Sequence, residues 1–240
     1  KKLRILPFII ISFVLISAGD FYKNIFYDKT ETNNESDYYS MSYNKFVNLE
    51  NVNKTIDIKN PDYELINASI FHETNRRRIN NKLKTFIYSP ELTKAAMFHS
   101  KNMVIQKFYD HIDKINAKCK EPSDRIKMFG GNFSFTGENI YRFPLYEIEQ
   151  YEEYYIDGED ENYQYFKILA NGEQGDEIDA YSYIEAGRAA VAAWMLSKGH
   201  KDNLLNTEFS YIGCGSYIKE GSKTGEEMPT LYVTQNFGNK

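Results

Sequence analysis

Cysteine, tryptophan, proline and histidine are all scarce in this chain of 240 residues, which holds two cysteines, one tryptophan, six prolines and four histidines. Two cysteines are too few for a disulfide framework, so the fold must rest on a hydrophobic core. A hydrophobic share of 42% is enough for one domain of good size with appendages. Cys119 and Cys214 could pair, but Cys214, which lies between two glycines, is typical of a small buried hydrophobic residue.

The chain also lacks a dense stripe of lysine and arginine. Its net charge is -5 and its pI is near 5.5, a balance that argues against a nucleic-acid-binding surface. The strongest basic cluster, Arg76-Arg77-Arg78, is more typical of the solvated side of a helix than of a phosphate clamp. We therefore predict no nucleic-acid partner.

No apolar run in the sequence is long enough for a comfortable membrane span. Residues 1–4 carry three positive charges, and residues 5–17 are almost wholly apolar, so residues 1–18 resemble an export signal. Residues 15–20 are similar to a bacterial lipoprotein processing box in which Ala18 stands where the acylated cysteine would be. The sequence predicts an exported protein, extracellular or at the bacterial cell surface or outer membrane. Any membrane association would be through the N-terminus, and a cysteine at position 18 would make it a lipid-tethered protein.

Composition divides the rest of the chain into a polar segment and a folded domain. Residues 19–60 are rich in polar residues without apolar periodicity and predict a flexible tether. Residues 61–240 carry the helical and strand patterns of one domain. Within it, residues 144–183 are dense in Glu, Asp and Tyr, which predicts an insertion in the form of a solvated loop or, alternatively, of a partner-binding lobe.

Three helices and a hairpin are predicted inside the domain. The first helix follows a proline at the start of the domain, the second begins with Ser89 as its cap, and the third opens near Ile184 and ends at Gly199. Apolar residues alternate over residues 211–217 and 231–237 around a Gly-rich connection, which predicts a β-hairpin. Together these elements predict an α+β domain in which helices cover an antiparallel sheet.

Four short motifs carry the candidate chemistry. They are Tyr109-Asp110-His111, Gly137-Glu138-Asn139-Ile140, the run from Trp194 to His200, and Ile212-Gly213-Cys214-Gly215. Two histidines and a carboxylate, the groups that bind metals or move protons near neutral pH, each lie inside one of these frames. Each also has a simpler interpretation, because histidines at helix ends complement terminal carbonyls and a glutamate can cap a turn.

The order of these motifs resembles the CAP superfamily, also called the SCP or cysteine-rich secretory, antigen 5 and pathogenesis-related-1 domain, in its cysteine-poor bacterial form. The resemblance begins at the run from Phe71 to Arg77 and covers most of residues 66–238. It implies a three-layer α-β-α sandwich with a small antiparallel sheet flanked by helices. It also implies that His111, Glu138 and His200 converge on one cleft.

The resemblance leaves the chemistry of that cleft open. The imidazoles of His111 and His200 could hold Zn²⁺ or another divalent metal, while Glu138 fixes a tautomer or ligates directly. CAP domains with the full acidic-histidine cluster carry a second glutamate just before the second histidine, where this chain has Ser197. A serine cannot replace a carboxylate, and Ser197 lacks the Gly-x-Ser-x-Gly frame of a nucleophile. His99 is predicted to be a helix-packing or surface residue.

Three functions are compatible with these observations. The first is an exported binding protein without catalytic turnover, whose His/Glu cleft takes a lipid-like ligand or a host or cell-surface protein. The second is a metal-dependent, protease-like hydrolase that uses His111, His200 and Glu138. The third is an adhesin that acts through the acidic insertion, with the remaining domain as a scaffold. We rank the binding protein first and assign no residue a catalytic role.

Overall fold

The computed structural model describes residues 37–147, 153–159, 164–170, 173–221 and 227–240, so the export-like segment and residues 19–36 lie outside the described part. Six helices are α1 (Tyr43–Val47), α2 (Tyr63–Asn80), α3 (Pro90–Ile105), α4 (Pro122–Met128), α5 (Tyr183–Leu196) and α6 (Lys198–Leu205). The strands are β1 (Ile87–Tyr88), β2 (Phe135–Pro144), β3 (Glu153–Glu159), β4 (Gln164–Ala170), β5 (Glu173–Glu177), β6 (Tyr211–Lys219) and β7 (Thr230–Asn239). Short 3-10 turns occupy Asp37–Ser40, Asn51–Asn53 and Ala117–Cys119.

The central sheet has four strands in the order β1-β6-β7-β2. The predicted hairpin is confirmed as β6 and β7, which pair antiparallel, and β2 pairs antiparallel with the other side of β7. The two-residue strand β1 adds to β6 in parallel. In this register Glu138 on β2 lies opposite Asn236 on β7, so the candidate carboxylate projects from the central sheet beside the Asn236 side chain.

Helices cover both faces of this sheet. Helices α2 and α5 pack on one face, where the largest hydrophobic cluster forms, and α3 packs with α4 on the other. Glycines at 213 and 215 allow α3 to lie directly on β6, because a Cβ at Gly213 would overlap the backbone of Leu92 and Thr93. The predicted three-layer α+β sandwich is confirmed.

Helix ends agree with the sequence at α3 and differ at α5. Ser89 caps α3 by accepting a hydrogen bond from the Leu92 amide at 3.3 Å, as predicted. The third predicted helix begins at the expected place but ends at Leu196 rather than Gly199. Ser197 is extended (φ -95°, ψ 122°), which breaks the chain into two helices. Gly199 and His200 therefore belong to a separate short helix, α6.

The predicted tether is wrong for residues 37–60. This segment lies against α2 and buries Phe46, Val52 and Ile56, which are at most 1% exposed. Its backbone also joins the domain, because the amide of Ile56 donates to the carbonyl of Tyr181 at 3.0 Å. Three isolated apolar residues carry no helical or strand period, so the sequence pattern did not reveal that each one fills a gap in the core.

The loop interpretation of the acidic insertion is also wrong. Three strands, β3, β4 and β5, form an antiparallel sheet of their own. The insertion is shorter than residues 144–183, because Leu145, Tyr146 and Ile178 belong to the main core. A β-bridge between Tyr146 and Ala180 holds its two ends together. The tyrosine, isoleucine and phenylalanine content that accompanies the acids is typical of strands, which explains the difference.

Both cysteines are buried and neither forms a disulfide. Cys214 lies in the main core, and burial raises the pKa of its thiol to about 12. The prediction that Cys214 is a buried hydrophobic residue is confirmed. None of the helices within the described residues is both long and apolar enough to cross a bilayer.

Candidate functional site

The structure brings His111 directly onto Glu138. The Nδ1 atom of His111 lies 2.9 Å from Oε1 of Glu138, across 27 residues of sequence. The His111 side chain is 43% exposed, whereas that of Glu138 is 2% exposed. Burial lowers the pKa of His200 below its ordinary value, and the charge of His111 lowers it further.

Glu138 is surrounded by four side chains, which come from α3, α4, β7 and the loop after α3. Nη2 of Arg125 donates to both carboxylate oxygens, at 3.0 Å and 2.8 Å. Nε2 of His99 lies 3.8 Å from Oε1. Asn236, with its amide oriented so that both of its ends are satisfied, donates to Oε2 at 3.1 Å. With His111 included, the carboxylate has partners on both oxygens.

These partners keep the buried carboxylate ionised. Burial alone raises the pKa of Glu138, but the charge of Arg125 and the hydrogen bonds from His111 and Arg125 hold it below its ordinary value. The neighbouring His99 is 0% exposed, and burial lowers its pKa to about 4. His99 is therefore neutral near pH 7, and its Nε2–H donates to the carbonyl of Asp110 at 3.0 Å.

The Gly-Glu-Asn motif positions α6 as well as the carboxylate. Asn139 donates to the carbonyl of His200 at 3.1 Å, and Asn203 donates to Oδ1 of Asn139 at 2.8 Å. Gly137 has no room for a side chain, because a Cβ there would lie 2.8 Å from Cζ of Phe209. The motif thus anchors the short helix that carries His200 next to the strand that carries Glu138.

Arg78 caps the carboxyl end of helix α6. Its Nη1 donates to the carbonyls of Leu204 and Asn206, each at 2.8 Å, and so satisfies the carboxyl end of that helix. The side chain is buried and its guanidinium lies 3.6 Å from the centroid of the Phe86 ring. The interpretation of the basic cluster as a solvated helix face is therefore wrong for Arg78.

Two residues of the site were missed in the sequence. Arg125 was not predicted as a site residue, although it is the main counter-ion of Glu138. The packing interpretation of His99 is confirmed by its burial, but its position beside the carboxylate was not predicted. The turn-capping interpretation of Glu138 is also wrong, because within the described residues its carboxylate accepts hydrogen bonds from side chains and not from backbone amides. A buried acid needs a counter-ion, and this rule was the available signal for Arg125.

The donor set does not fit a three-ligand metal site. No group of three or more His, Cys, Asp or Glu within the described ranges is placed to hold a metal ion. The carboxylate of Glu138 is engaged by Arg125 and His111 instead. A serine occupies position 197, at the junction of α5 and α6, and adds no carboxylate. The three-ligand arrangement behind the hydrolase alternative is therefore not formed.

Several bacterial proteins are similar to this chain. It is 28% identical over 149 residues to the uncharacterized protein YkwD of Bacillus subtilis (strain 168), which covers 62% of this chain and 41% of YkwD. It is 24% identical over 164 residues to the uncharacterized membrane protein YlbC of the same organism, which covers 68% of this chain and 32% of YlbC. The chain thus spans less than half the length of these curated relatives.

Two solved structures overlap with the fold at TM-scores below 0.5. An extracellular protein containing an SCP domain from Bacillus anthracis gives a TM-score of 0.49 at 22% identity, over 76% of this chain and 43% of that chain. An outer surface protein from Borrelia burgdorferi gives 0.42 at 19% identity, over 71% of this chain and 90% of that chain. At these values the overlap does not bear on function.

The sequence profile of the cysteine-rich secretory protein family, CAP, matches residues 71–237. The match includes every motif that carries the resemblance and the whole His111, Glu138 and His200 site. It covers more than half of the sequence, and the chain therefore belongs to the CAP family.

Proposed function

We propose that this protein is an exported bacterial binding module that takes a small lipid-like ligand at its His111 and His200 cleft without catalytic turnover. The carrying observation is the state of Glu138. Its carboxylate is buried, ionised and bonded to Arg125 and His111, so it acts as a fixed orienting group. Export is supported by the signal-like residues 1–18, and the bacterial source by the relatives.

The orientation of His111 supports binding of a ligand with a hydrogen-bonding group. The ionised carboxylate can only accept, so the Nδ1 atom of His111 carries the proton of their hydrogen bond. The Nε2 atom of His111 is then the ring nitrogen left for a ligand, on a side chain that is 43% exposed. His200 is half-buried, and its lowered pKa favours a neutral ring that can accept a hydrogen bond. A ligand hydroxyl or amide, which can both donate and accept, suits these two imidazoles.

The same geometry is poorly suited to hydrolysis. A hydrolase of this type needs a base that is free to take a proton from water. Glu138 is surrounded by donors, and position 197 carries a serine in place of the family's second acid. We expect no turnover of peptide or ester substrates by the purified chain. Reproducible hydrolysis that is lost in His200→Ala would overturn the non-catalytic proposal.

Ligand retention tests the binding proposal. The full chain and a His111→Ala/His200→Ala variant are incubated with a total bacterial lipid extract, re-purified and analysed by mass spectrometry. We expect at least one species to be retained by the wild type and about tenfold less of it by the double variant. Lys198→Ala is the matched control, because this exposed lysine lies on the same helix and forms an ion pair with Asp202, away from the imidazoles. Equal retention by all three proteins would reject the cleft as the binding site.

A second candidate function is adhesion through the insertion, which is favoured by its order and charge. Its backbone forms a three-stranded sheet. Residues 147–179 carry twelve acids and one lysine, a net charge of -11, so the remaining residues carry +6. Such a polarised charge suits a cationic partner surface.

The deletion that tests adhesion must spare the core. Leu145, Tyr146 and Ile178 are core residues, so a Gly/Ser linker should replace only residues 148–177. The bridged ends at Tyr146 and Ala180 make this replacement compatible with folding. Loss of binding to host-cell surfaces with an unchanged melting temperature would support adhesion, and unchanged binding would exclude it.

A further inference from the structure

An exposed arginine lies on the same strand and the same face as Glu138. Arg142 follows Glu138 by four residues on β2, and alternate residues of a strand share a face. At roughly 3.3 Å per residue their Cα atoms are about 13 Å apart. Buried Ile140 lies between them and packs in a small cluster with Met103 and Tyr232. The loop after α3 contacts both ends, since His111 bonds Glu138 and Tyr109 contacts Arg142.

Two tyrosines hold the guanidinium of Arg142 in place. Its Cζ atom lies 4.8 Å from the ring centroid of Tyr109 and 5.8 Å from that of Tyr232. Its Nη1 donates to the hydroxyl of Tyr232 at 3.0 Å. The two rings meet edge to face, with centroids 6.2 Å apart, so they form a corner around the cation. A guanidinium fixed against aromatic rings is pre-organised, and less rotamer freedom is lost when it binds a ligand.

The cation in this corner has no carboxylate partner within the described ranges. By contrast, Arg125 is paired with a carboxylate, and Arg78 donates to backbone carbonyls. Burial raises the pKa of the neighbouring Tyr109, and the charge of Arg142 opposes that rise. Arg142 has five N–H donors, and one recorded hydrogen bond uses a single one of them.

We propose that Arg142, framed by Tyr109 and Tyr232, is an oxyanion-binding site that takes the carboxylate or phosphate group of a ligand. The planar N–H edge of a guanidinium matches either group through two parallel hydrogen bonds. The aromatic corner favours an anion that is attached to an apolar body, because the rings offer apolar surface next to the charge. This site is separate from the imidazoles of the cleft and does not depend on what they bind.

Anion titration followed by NMR tests this site directly. The Nε–H resonance of Arg142 is recorded in the full-length wild type while sodium acetate or inorganic phosphate replaces chloride at constant ionic strength. We expect a saturable shift with at least about tenfold tighter binding than any response to chloride. A stronger response to acetate identifies a carboxylate site, and a stronger response to phosphate identifies a phosphate site. A response that stays linear, or that chloride reproduces, would overturn the proposal.

Variants separate recognition from packing. The Arg142 variants lack the arginine Nε–H, so the backbone amide resonance of Tyr109 serves as the probe in all proteins. Arg142→Lys keeps the charge but loses the paired N–H donors, so the saturable shift of this amide should weaken. In Arg142→Gln the shift should vanish. Arg188→Gln, on an exposed arginine of α5 in the opposite helix layer, should respond like the wild type. The same Tyr109 response in Arg142→Gln and wild type would reject the site. If Arg142→Gln does not fold, the comparison of wild type with Arg142→Lys decides.

The oxyanion site and the lipid cleft can fail independently. The His111→Ala/His200→Ala variant should keep the full acetate or phosphate response, because Arg142 is held by Tyr109 and Tyr232 and not by either imidazole. Loss of that response in the double variant would contradict a separate site. Normal anion binding together with no retained lipid would reject the proposed cleft function and leave the Arg142 site standing.

Discussion

Two buried glutamates in this protein solve the same electrostatic problem in different ways. The side chain of Glu73 on α2 is 0% exposed, and that of Glu138 on β2 is 2% exposed. Glu73 is neutralised by Arg76 and Arg77, which lie one turn further along the same helix. Glu138 is neutralised by Arg125, which lies on helix α4 and precedes Glu138 by 13 residues in the sequence.

The difference lies in how exposed each counter-ion is. The side chains of Arg76 and Arg77 are 32% and 31% exposed. If one of them is lost, the other arginine and water can still solvate the Glu73 carboxylate. Arg125 is 0% exposed and is the only arginine that pairs with Glu138 within the described part of the chain. Removing one partner of a fully desolvated pair leaves a bare buried charge, which costs far more than losing a half-exposed pair.

Arg125→Met is expected to have the largest effect. It leaves Glu138 buried without its counter-ion and should lower the free energy of unfolding by about 4 kcal/mol. Arg76→Met should cost about 1 kcal/mol, because Arg77 remains on Glu73. Urea unfolding at pH 7 measures both, and the double variant Arg125→Met/Glu138→Gln should recover part of the loss. Equal losses in Arg125→Met and Arg76→Met would break the comparison.

Phe46→Ala is expected to have the second-largest effect on stability, because Phe46 packs helix α1 against His72, the residue before Glu73 on α2. Phe46 is 0% exposed and stacks on His72 at a centroid distance of 4.2 Å. Truncation of a buried phenylalanine should cost about 3 kcal/mol. The matched control is Val47→Ala, which changes a partly buried neighbour on the same helix. A loss below about 1 kcal/mol would restore the tether interpretation of this segment.

The two clusters should also differ in acid stability, because each has a buried histidine beside it. His99 is neutral in the folded state, with a pKa of about 4, while the unfolded chain takes up a proton below its ordinary pKa of 6.5. Folding stability is therefore lost as the pH falls through this window, by about 2 kcal/mol between about pH 7 and pH 5. His99→Gln cannot titrate and should remove that part of the pH dependence.

His72→Gln provides the control for that measurement. Burial also lowers the pKa of His72, whose Nε2 donates to the carbonyl of Tyr38 at 2.8 Å. The direction of the pH dependence is the same, but its size should be smaller than for His99. Urea unfolding of the two variants and the wild type at both pH values gives the comparison. An unchanged pH dependence in His99→Gln would show that this imidazole does not stay neutral in the fold.

Tyr43→Phe is expected to have the smallest effect. It removes a single hydrogen bond, from the tyrosine hydroxyl to Oε2 of Glu73 at 3.3 Å, while both arginines remain. The loss in unfolding free energy should be no more than about 1 kcal/mol. A larger loss would mean that the hydroxyl, rather than the arginines, is the main partner of Glu73.

Prediction from the sequence succeeded where the signal was local and repeated. The cap at Ser89, the hairpin of β6 and β7 and the buried position of Cys214 all follow from short-range patterns. It failed where the structure depends on isolated residues. Phe46 has no periodic neighbours, and nothing in its local pattern shows that it fills a gap against His72. The end of α5 was missed because Ser197 is not a strong helix breaker.

The sequence by itself determined the CAP family, the α+β class and the residue types from which the cleft is built, because ordered motifs and apolar periods are written along the chain. Only the tertiary structure decided what Glu138 does. Its counter-ion Arg125, its neutral neighbour His99 and its bonded partner His111 come from separate elements, and a carboxylate's state depends on the charges around it in space. Spacing along a chain does not encode that distance.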